Sequence, residues 1–223
     1  MPSRELVVFD LDGTLIDTAP DLARIMNTIL TREGLATLDP DSVRQMVGSG
    51  ARALMERGLA AAGIAPDDSL LDRLVYEFIE IYQGDIAIDS RPYPGMVDAL
   101  DRLRARGARL AVCTNKPERL SRLLLAHFDL DDRFAAVVGG DTLARRKPDP
   151  DPLIEVIARV RSAPGRTVLV GDSIIDIKTA RAAGVPVIGV SFGYTEIAMK
   201  DLGADAVIDH FDELDAALMA VRS

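Results

Sequence analysis

The chain has 223 residues, of which 48% are hydrophobic and 27% charged, and this composition excludes a disordered chain. Its formal net charge of -9 argues against nucleic acid as the main partner, although a small anionic substrate needs only local positive charge. It has no apolar run of about 18 residues that would span a membrane, and no hydrophobic signal segment. Since a single cysteine, Cys113, excludes an internal disulfide, we expect a cytoplasmic protein.

The chain opens on a strand and continues into helices. Residues 5–10 form a near-continuous apolar run that ends in an aspartate, which is typical of a strand buried on both faces. From about residue 18 to residue 88 the apolar residues recur at helical spacing, and no strand is evident. At the start of this segment, Thr18 and Asp21 flank a proline and match the pattern of a capping box.

From about residue 91 onward, strands and helices alternate. Five more strand candidates span 109–113, 135–138, 167–170, 185–190 and 206–208. The helix candidates between and after them lie near 96–106, 118–127, 152–161, 175–183 and 211–221. Such alternation predicts βαβ units that build a parallel sheet. The opening strand must join this sheet, because a lone buried strand cannot satisfy its backbone.

The helical segment therefore interrupts an α/β domain. We predict an α/β core made of residues 1–16 and 90–223, and a helical cap domain made of residues 17–89. We find no internal repeat that would suggest another organisation.

Polar residues follow the predicted strands where those strands end. At three strand ends these are Asp10 with Asp12, then Thr114, and Asp172 with Asp176 one turn further on. Lys147 lies in the loop before the helix near 152–161. Ligands of open parallel sheets bind at the carboxyl ends of the strands, so we expect these side chains to converge. Four carboxylates in one place require a cation among them. Because the set contains only oxygen ligands, without a cluster of histidine or cysteine, it favours Mg²⁺ over zinc.

Each of these residue types has a chemical use in phosphoryl transfer. Asp10 could attack phosphorus and form an aspartyl-phosphate. Asp12 is placed to protonate the leaving oxygen and then to deprotonate water. Thr114 and Lys147 would hold the phosphoryl oxygens, and the lysine would also offset the charge of the aspartates.

Four motifs of the chain resemble those of the haloacid-dehalogenase-like hydrolase superfamily. They are Asp10-Leu11-Asp12-Gly13-Thr14-Leu15, Thr114-Asn115, Lys147-Pro148 and Gly171-Asp172 with Asp176. The resemblance implies a Rossmann-like core with strand order 3-2-1-4-5 and a helical cap inserted after the first strand. It also implies that Asp10 is the nucleophile and Asp12 the acid and base.

The same resemblance implies the binding roles of the remaining motif residues. Thr114 and Lys147 would bind the substrate's phosphate, and Asn115 is a further candidate for substrate binding. The implied Mg²⁺ ligands are Asp10, Asp172 and the backbone carbonyl of Asp12, supported by Asp176.

Within the superfamily the chain is most similar to phosphoglycolate phosphatases. This likeness lies in Thr114-Asn115-Lys116-Pro117, in Val47-Gly48-Ser49-Gly50-Ala51-Arg52 and in Phe192-Gly193-Tyr194. The chain departs from the expected pattern at Ile175, where a polar residue would be usual. The similarity implies a small phosphorylated metabolite as substrate, with 2-phosphoglycolate favoured over sugar phosphates and pyrophosphate.

Several alternatives stay open at this point. Arg52 either binds a substrate carboxylate or is a solvated helix residue, and Lys116 either points at the substrate or caps the helix that follows. A sugar phosphomutase would share the same motifs. Dehalogenation would leave Asp12 and Asp172 unnecessary, and a catalytically silent protein would be expected to lack one of the motif groups. The chain could be a monomer or a homodimer.

Overall fold

A computed structural model describes residues 5–195 and 197–222 of the chain. Residues 1–4, with which the predicted core domain begins, lie outside the described residues. The strands are β1 (Leu6–Phe9), β2 (Ile16–Asp17), β3 (Arg91–Pro92), β4 (Arg109–Cys113), β5 (Ala136–Val138), β6 (Thr167–Gly171), β7 (Val187–Val190) and β8 (Ala206–Ile208). The α-helices are α1 (Ala19–Arg32), α2 (Pro40–Arg44), α3 (Ala51–Ala61), α4 (Asp68–Gly84), α5 (Met96–Ala105), α6 (Glu118–His127), α7 (Asp151–Arg159), α8 (Ile174–Ala183) and α9 (Leu214–Ala220).

Six of the strands form one parallel sheet in the order β5-β4-β1-β6-β7-β8. Counted along the sheet's own strands, the first five have the predicted order 3-2-1-4-5, so the α/β fold class is confirmed. The sixth strand, β8, extends the sheet at the edge beside β7. The order changes direction at β1, which pairs with β4 on one side and β6 on the other.

The central position of β1 explains its apolar sequence. All four of its residues are fully buried. Val7 and Phe9 pack into a cluster that includes residues of α5 and α9, whereas Leu6 and Val8 pack on the opposite face with residues of α7 and α8. A strand covered on both faces needs apolar side chains at every position, which is why alternation is missing.

Helices α1–α4 lie between β2 and β3 and form a third apolar cluster of their own. Leu120 of α6 also packs into this cluster, so the sheet's helices and the inserted helices share an apolar contact. The division into a core domain (1–16 and 90–223) and a cap domain (17–89) stays a prediction. Within the described part of the chain, no helix combines the length and apolarity needed to cross a bilayer.

Two local features differ from the expectations. Strands β2 and β3 form a short antiparallel ribbon where the chain leaves for α1–α4 and returns, and this ribbon was not predicted. The predicted capping box at Thr18 is wrong, because its side chain caps nothing in α1 and donates instead to Asp12 Oδ1 at 2.8 Å. The Asp21 carboxylate likewise turns away and accepts from the Ser90 hydroxyl at 2.6 Å.

Candidate active site

The loop after β1 fixes the first aspartate of the site. The Asp10 backbone continues the sheet by donating to the Val170 carbonyl, and its carboxylate accepts from the Leu11 amide at 2.7 Å. The loop then turns sharply at Gly13, whose φ of +81° lies in the left-handed region that favours glycine. Asp10 is thereby held, 5% exposed, at the carboxyl end of the central strand.

Lys147 lies between two of the predicted site carboxylates. Its Nζ is 3.0 Å from Asp10 Oδ2 and 2.6 Å from Asp176 Oδ1. The other Asp176 oxygen accepts from the backbone and hydroxyl of Ser173, which makes a capping box at the start of α8. The first turn of α8 thus holds the Asp176 carboxylate in place. That carboxylate in turn holds the Lys147 ammonium beside Asp10.

Asp172 directly follows β6 and is enclosed by backbone. Its Oδ2 accepts from the Tyr194 amide at 2.8 Å. A Cβ added at Gly13 would lie 2.5 Å from this oxygen, and one added at Gly193 would lie 2.1 Å from the Asp172 Cβ. Both glycines are therefore required for the chain to close around this carboxylate.

The buried charges of this cluster do not balance. One oxygen from each of Asp10, Asp172 and Asp176 lies within 4.8 Å of the others, and Lys147 is the ammonium that contacts two of them. Burial raises the pKa of Asp10 to about 6, against the opposing effect of Lys147, and Asp176 adds to the rise. Burial and the charges of Asp176 and Asp10 raise the pKa of Asp172 well above its usual value. An excess of negative charge on oxygen ligands is the environment that suits a hard divalent cation.

A second ion pair lies nearer the inserted helices. The Lys116 ammonium is 3.0 Å from Asp12 Oδ1, donates to the Tyr82 hydroxyl at 2.8 Å, and lies 4.1 Å from the centre of the Tyr82 ring. Burial lowers the pKa of Lys116, although Asp12 opposes this effect. The Asp141 carboxylate accepts from the Glu118 amide and so provides the hydrogen bond needed at the start of α6. Lys116 therefore points into the site and does not cap that helix.

A small pocket joins these groups to the inserted helices. It encloses about 40 Å³, which is room for only a few water molecules. Its lining includes Asp10, Asp12, Thr114, Asn115 and Lys116 from the sheet side, and Leu22, Val47, Gly48, Gly50, Ala51, Leu54, Phe78 and Tyr82 from the helices. The Asn115 amide bridges the two sides, since it donates to the Gly48 and Lys147 carbonyls at 3.0 Å each.

The structure brings together eight of the nine residues predicted for the site. They are Asp10, Asp12, Thr114, Asn115, Lys116, Lys147, Asp172 and Asp176, all of which lie in the pocket lining or in the carboxylate cluster. Arg52 is the exception, and its surroundings match the alternative of a solvated helix residue. Its guanidinium points to α4, where it pairs with Asp68 at 2.7 Å and with Asp72, and it does not line the pocket.

Two tyrosines of the site were not singled out from the sequence. Tyr82 belongs to an apolar stripe on α4, and this pattern predicts a core residue. Its contacts with Lys116 reveal another role. Tyr194 was noted as part of Phe192-Gly193-Tyr194, but no pattern indicates that its amide contacts Asp172.

A family model described as haloacid dehalogenase-like hydrolase matches residues 7–190, which is most of the chain. The chain belongs to this family. It is 47% identical over 215 residues to a phosphoglycolate phosphatase of Caulobacter vibrioides, covering 96% of this chain and 91% of the relative. It is 45% identical over 216 residues to a phosphoglycolate phosphatase of Mesorhizobium japonicum, covering 97% and 95%.

Solved structures have the same fold over nearly the whole chain. A crystal structure described as a predicted phosphoglycolate phosphatase from Haemophilus somnus matches with a TM-score of 0.89 and 30% identity, covering 98% of this chain and 99% of that one. CbbY from Rhodobacter sphaeroides, in complex with xylulose-1,5-bisphosphate, matches with a TM-score of 0.82 and 25% identity, covering 96% and 99%. The chain is thus a phosphoric monoester hydrolase that resembles phosphoglycolate phosphatases.

Proposed function

We propose that this enzyme hydrolyses 2-phosphoglycolate to glycolate and inorganic phosphate through an aspartyl-phosphate on Asp10, and that it needs Mg²⁺. The observation that carries the proposal is the pairing of two carboxylates with two different lysines at the end of β1. Asp10 contacts Lys147 in the carboxylate cluster, whereas Asp12 contacts Lys116 at the pocket. These different surroundings support different roles for the two carboxylates.

The first half of the reaction uses Asp10 as the nucleophile. The Leu11 amide holds one of its oxygens and Lys147 the other, so the carboxylate does not need to reorient before it attacks. An Asp10 oxygen bonds to phosphorus while the bond from phosphorus to the glycolate oxygen breaks. Asp12 donates its proton to that leaving oxygen.

The second half returns the enzyme to its starting state. Asp12 takes a proton from a water molecule, whose oxygen bonds to phosphorus while the bond to Asp10 breaks. Thr18 and Lys116 both donate to Asp12 Oδ1, which keeps this carboxylate oriented through both steps.

The carboxylate cluster supports the choice of Mg²⁺ as the cofactor. Asp10 and Asp172, with the Asp12 backbone carbonyl, would hold Mg²⁺, and Asp176 would support them by fixing Lys147. When bound, the ion would neutralise the carboxylate cluster and the charge on the phosphoryl oxygens. This assignment matches the oxygen-only donor set and the excess negative charge described above.

The pocket favours a short, anionic leaving group. Its small size favours a compact leaving group over a bulky one. Among the described residues that line the pocket, Lys116 is the one with a positively charged side chain. That charge is what a substrate carboxylate needs as a partner. We therefore transfer the role first predicted for Arg52 to Lys116.

Sugar-phosphate hydrolysis is the second candidate, because CbbY, which shares this fold, was crystallised with a sugar bisphosphate. A panel of 2-phosphoglycolate, a xylulose phosphate, pyrophosphate and p-nitrophenyl phosphate separates the possibilities. With Mg²⁺ we expect the highest kcat/KM for 2-phosphoglycolate, and with EDTA we expect no turnover. A preference for the sugar ester, or full activity in EDTA, would overturn the proposal.

A substitution at Lys116 tests the substrate more narrowly. Lys116→Met should lower kcat/KM at least about tenfold more for 2-phosphoglycolate than for p-nitrophenyl phosphate, because only the former has a carboxylate to lose its partner. The exposed Lys178, changed to Met, is the matched control. Equal losses for both substrates would reject Lys116 as the carboxylate-binding residue.

The cytoplasmic location and the choice between monomer and homodimer stay predictions from the sequence.

A further inference from the structure

We propose that Tyr194 is a positioning residue that couples the orientation of the inserted helices to Asp172. It lies in the loop after β7, yet it contacts the first connection between the sheet and α1. The inference rests on the enzyme being a phosphatase whose pocket lies between the sheet and these helices, and it does not depend on which ester is the substrate.

The Tyr194 hydroxyl takes the place of an N-cap for α1. It accepts from the backbone amides of Thr18 at 2.7 Å and Ala19 at 3.1 Å. These amides belong to the group at a helix start that has no partner within the helix. Because the Thr18 side chain does not cap α1, a residue more than 170 positions away supplies the missing acceptor.

The same hydroxyl also reaches a charged pair at this connection. It donates to Asp17 Oδ1 at 2.9 Å, so its one donor and two acceptor sites are all used. Asp17 Oδ2 pairs with Arg44 at the end of α2, at 3.1 Å. The Arg44 guanidinium also lies 4.8 Å from the centre of the Tyr194 ring. Tyr194 is thus bound to both α1 and α2.

Its backbone and ring contact the catalytic loops. The Tyr194 amide donates to Asp172 Oδ2 at 2.8 Å. Its ring lies against Gly13, since a Cβ added there would be 2.8 Å from Tyr194 Cδ2. A rotation of α1 and α2 about their connection therefore displaces the residue that holds Asp172 and packs on the loop containing Asp10 and Asp12.

Tyr194→Phe is the substitution that isolates this role. Phenylalanine keeps the ring, its contact with Arg44 and the amide that holds Asp172, and it removes only the hydroxyl. The amides of Thr18 and Ala19 then lose a buried acceptor. We expect kcat/KM to fall about tenfold or more.

The position of the helices can be measured separately from activity. The single native cysteine, Cys113, is buried, so cysteines placed at the exposed Tyr76 on α4 and Met219 on α9 accept a pair of fluorescent dyes. Single-molecule energy transfer between them reports the distance from α4 to the sheet domain. We expect Tyr194→Phe to shift this distribution away from that of the parent protein, and Arg44→Ala to shift it in the same direction.

The control is Tyr76→Phe in the unlabelled enzyme, which removes an exposed hydroxyl and should leave kcat/KM unchanged. Far-UV circular dichroism and thermal melts show that each variant is folded at the assay temperature. A shifted distance together with a fall in kcat/KM supports the coupling. An unchanged distance, whatever happens to activity, or a shifted distance with full activity, overturns it.

Discussion

Replacing Lys147 with methionine tests how the buried charges are balanced. The lysine side chain is 1% exposed and contacts Asp10 and Asp176 at 3.0 and 2.6 Å. Methionine has a similar length, so it fills much of the same space and removes mainly the charge. Three carboxylates would then face one another without the ammonium that separates two of them.

The expected loss of stability is large. Removing one partner of a buried ion pair costs about 3–5 kcal/mol, because the remaining charge is left uncompensated. For a protein of this size, each kcal/mol corresponds to roughly 2–4 °C in Tm, so Tm should fall by roughly 6–20 °C. Lys147 also counteracts the rise in the pKa of Asp10, which is about 6 with the lysine present. Its loss should raise that pKa further and removes the ammonium that contacts Asp10 Oδ2, so we expect turnover to fall sharply.

Thermal melts with and without Mg²⁺ measure this effect. We expect Mg²⁺ to raise the Tm of Lys147→Met more than that of the parent, because the variant's carboxylates have lost their competing cation. Lys178→Met, at an exposed lysine, should leave Tm and activity unchanged. A Lys147→Met protein with parental Tm and turnover would refute the reasoning.

Three further changes follow from the structure. Gly13→Ala should abolish activity, because the added Cβ would lie 2.5 Å from Asp172 Oδ2 and the positive φ at this position strains alanine. Parental turnover would contradict this close approach. Arg52→Ala should change kcat/KM for 2-phosphoglycolate by less than about twofold and leave stability almost unchanged, since the ion pairs it loses are exposed. A tenfold rise in KM would restore Arg52 as a substrate ligand. Burial raises the pKa of Asp21, but hydrogen bonds from Ser90 and Arg24 outweigh it and lower the pKa below the usual 3.8. Asp21→Asn should therefore be less stable than the parent above that pH, and urea titrations should show the difference shrinking as the pH falls below it; a constant difference would contradict the assignment.

Much of the core was visible in the sequence because burial leaves a strong pattern. The run from Leu6 to Phe9 is apolar at every position, and this follows directly from its place at the centre of the sheet. The site residues were also predictable, because parallel strands deliver the residues after Phe9, Cys113 and Gly171 to one edge.

What the sequence did not predict depends on partners far along the chain. Thr18 and Asp21 have the spacing of a capping box, but Asp12 and Ser90 offer them other hydrogen bonds once the fold brings these groups together. Arg52 follows a glycine-rich loop at the pocket, and only the position of α4 decides that its guanidinium turns to acidic residues there. The ribbon of β2 and β3 has two residues in each strand, too few for any periodicity.

Trapping the phosphorylated enzyme tests the central claim most directly. Asp12→Asn lacks the base that assists water, but an ester whose leaving group needs no acid, such as ³²P-labelled p-nitrophenyl phosphate, can still phosphorylate it. Mixed with this ester and Mg²⁺ and quenched in acid, Asp12→Asn should retain label on the peptide that contains Asp10, and hydroxylamine should release it. Asp10→Asn should retain none under the same conditions. Label on another residue, or undiminished hydrolysis by Asp10→Asn, would contradict the proposed nucleophile.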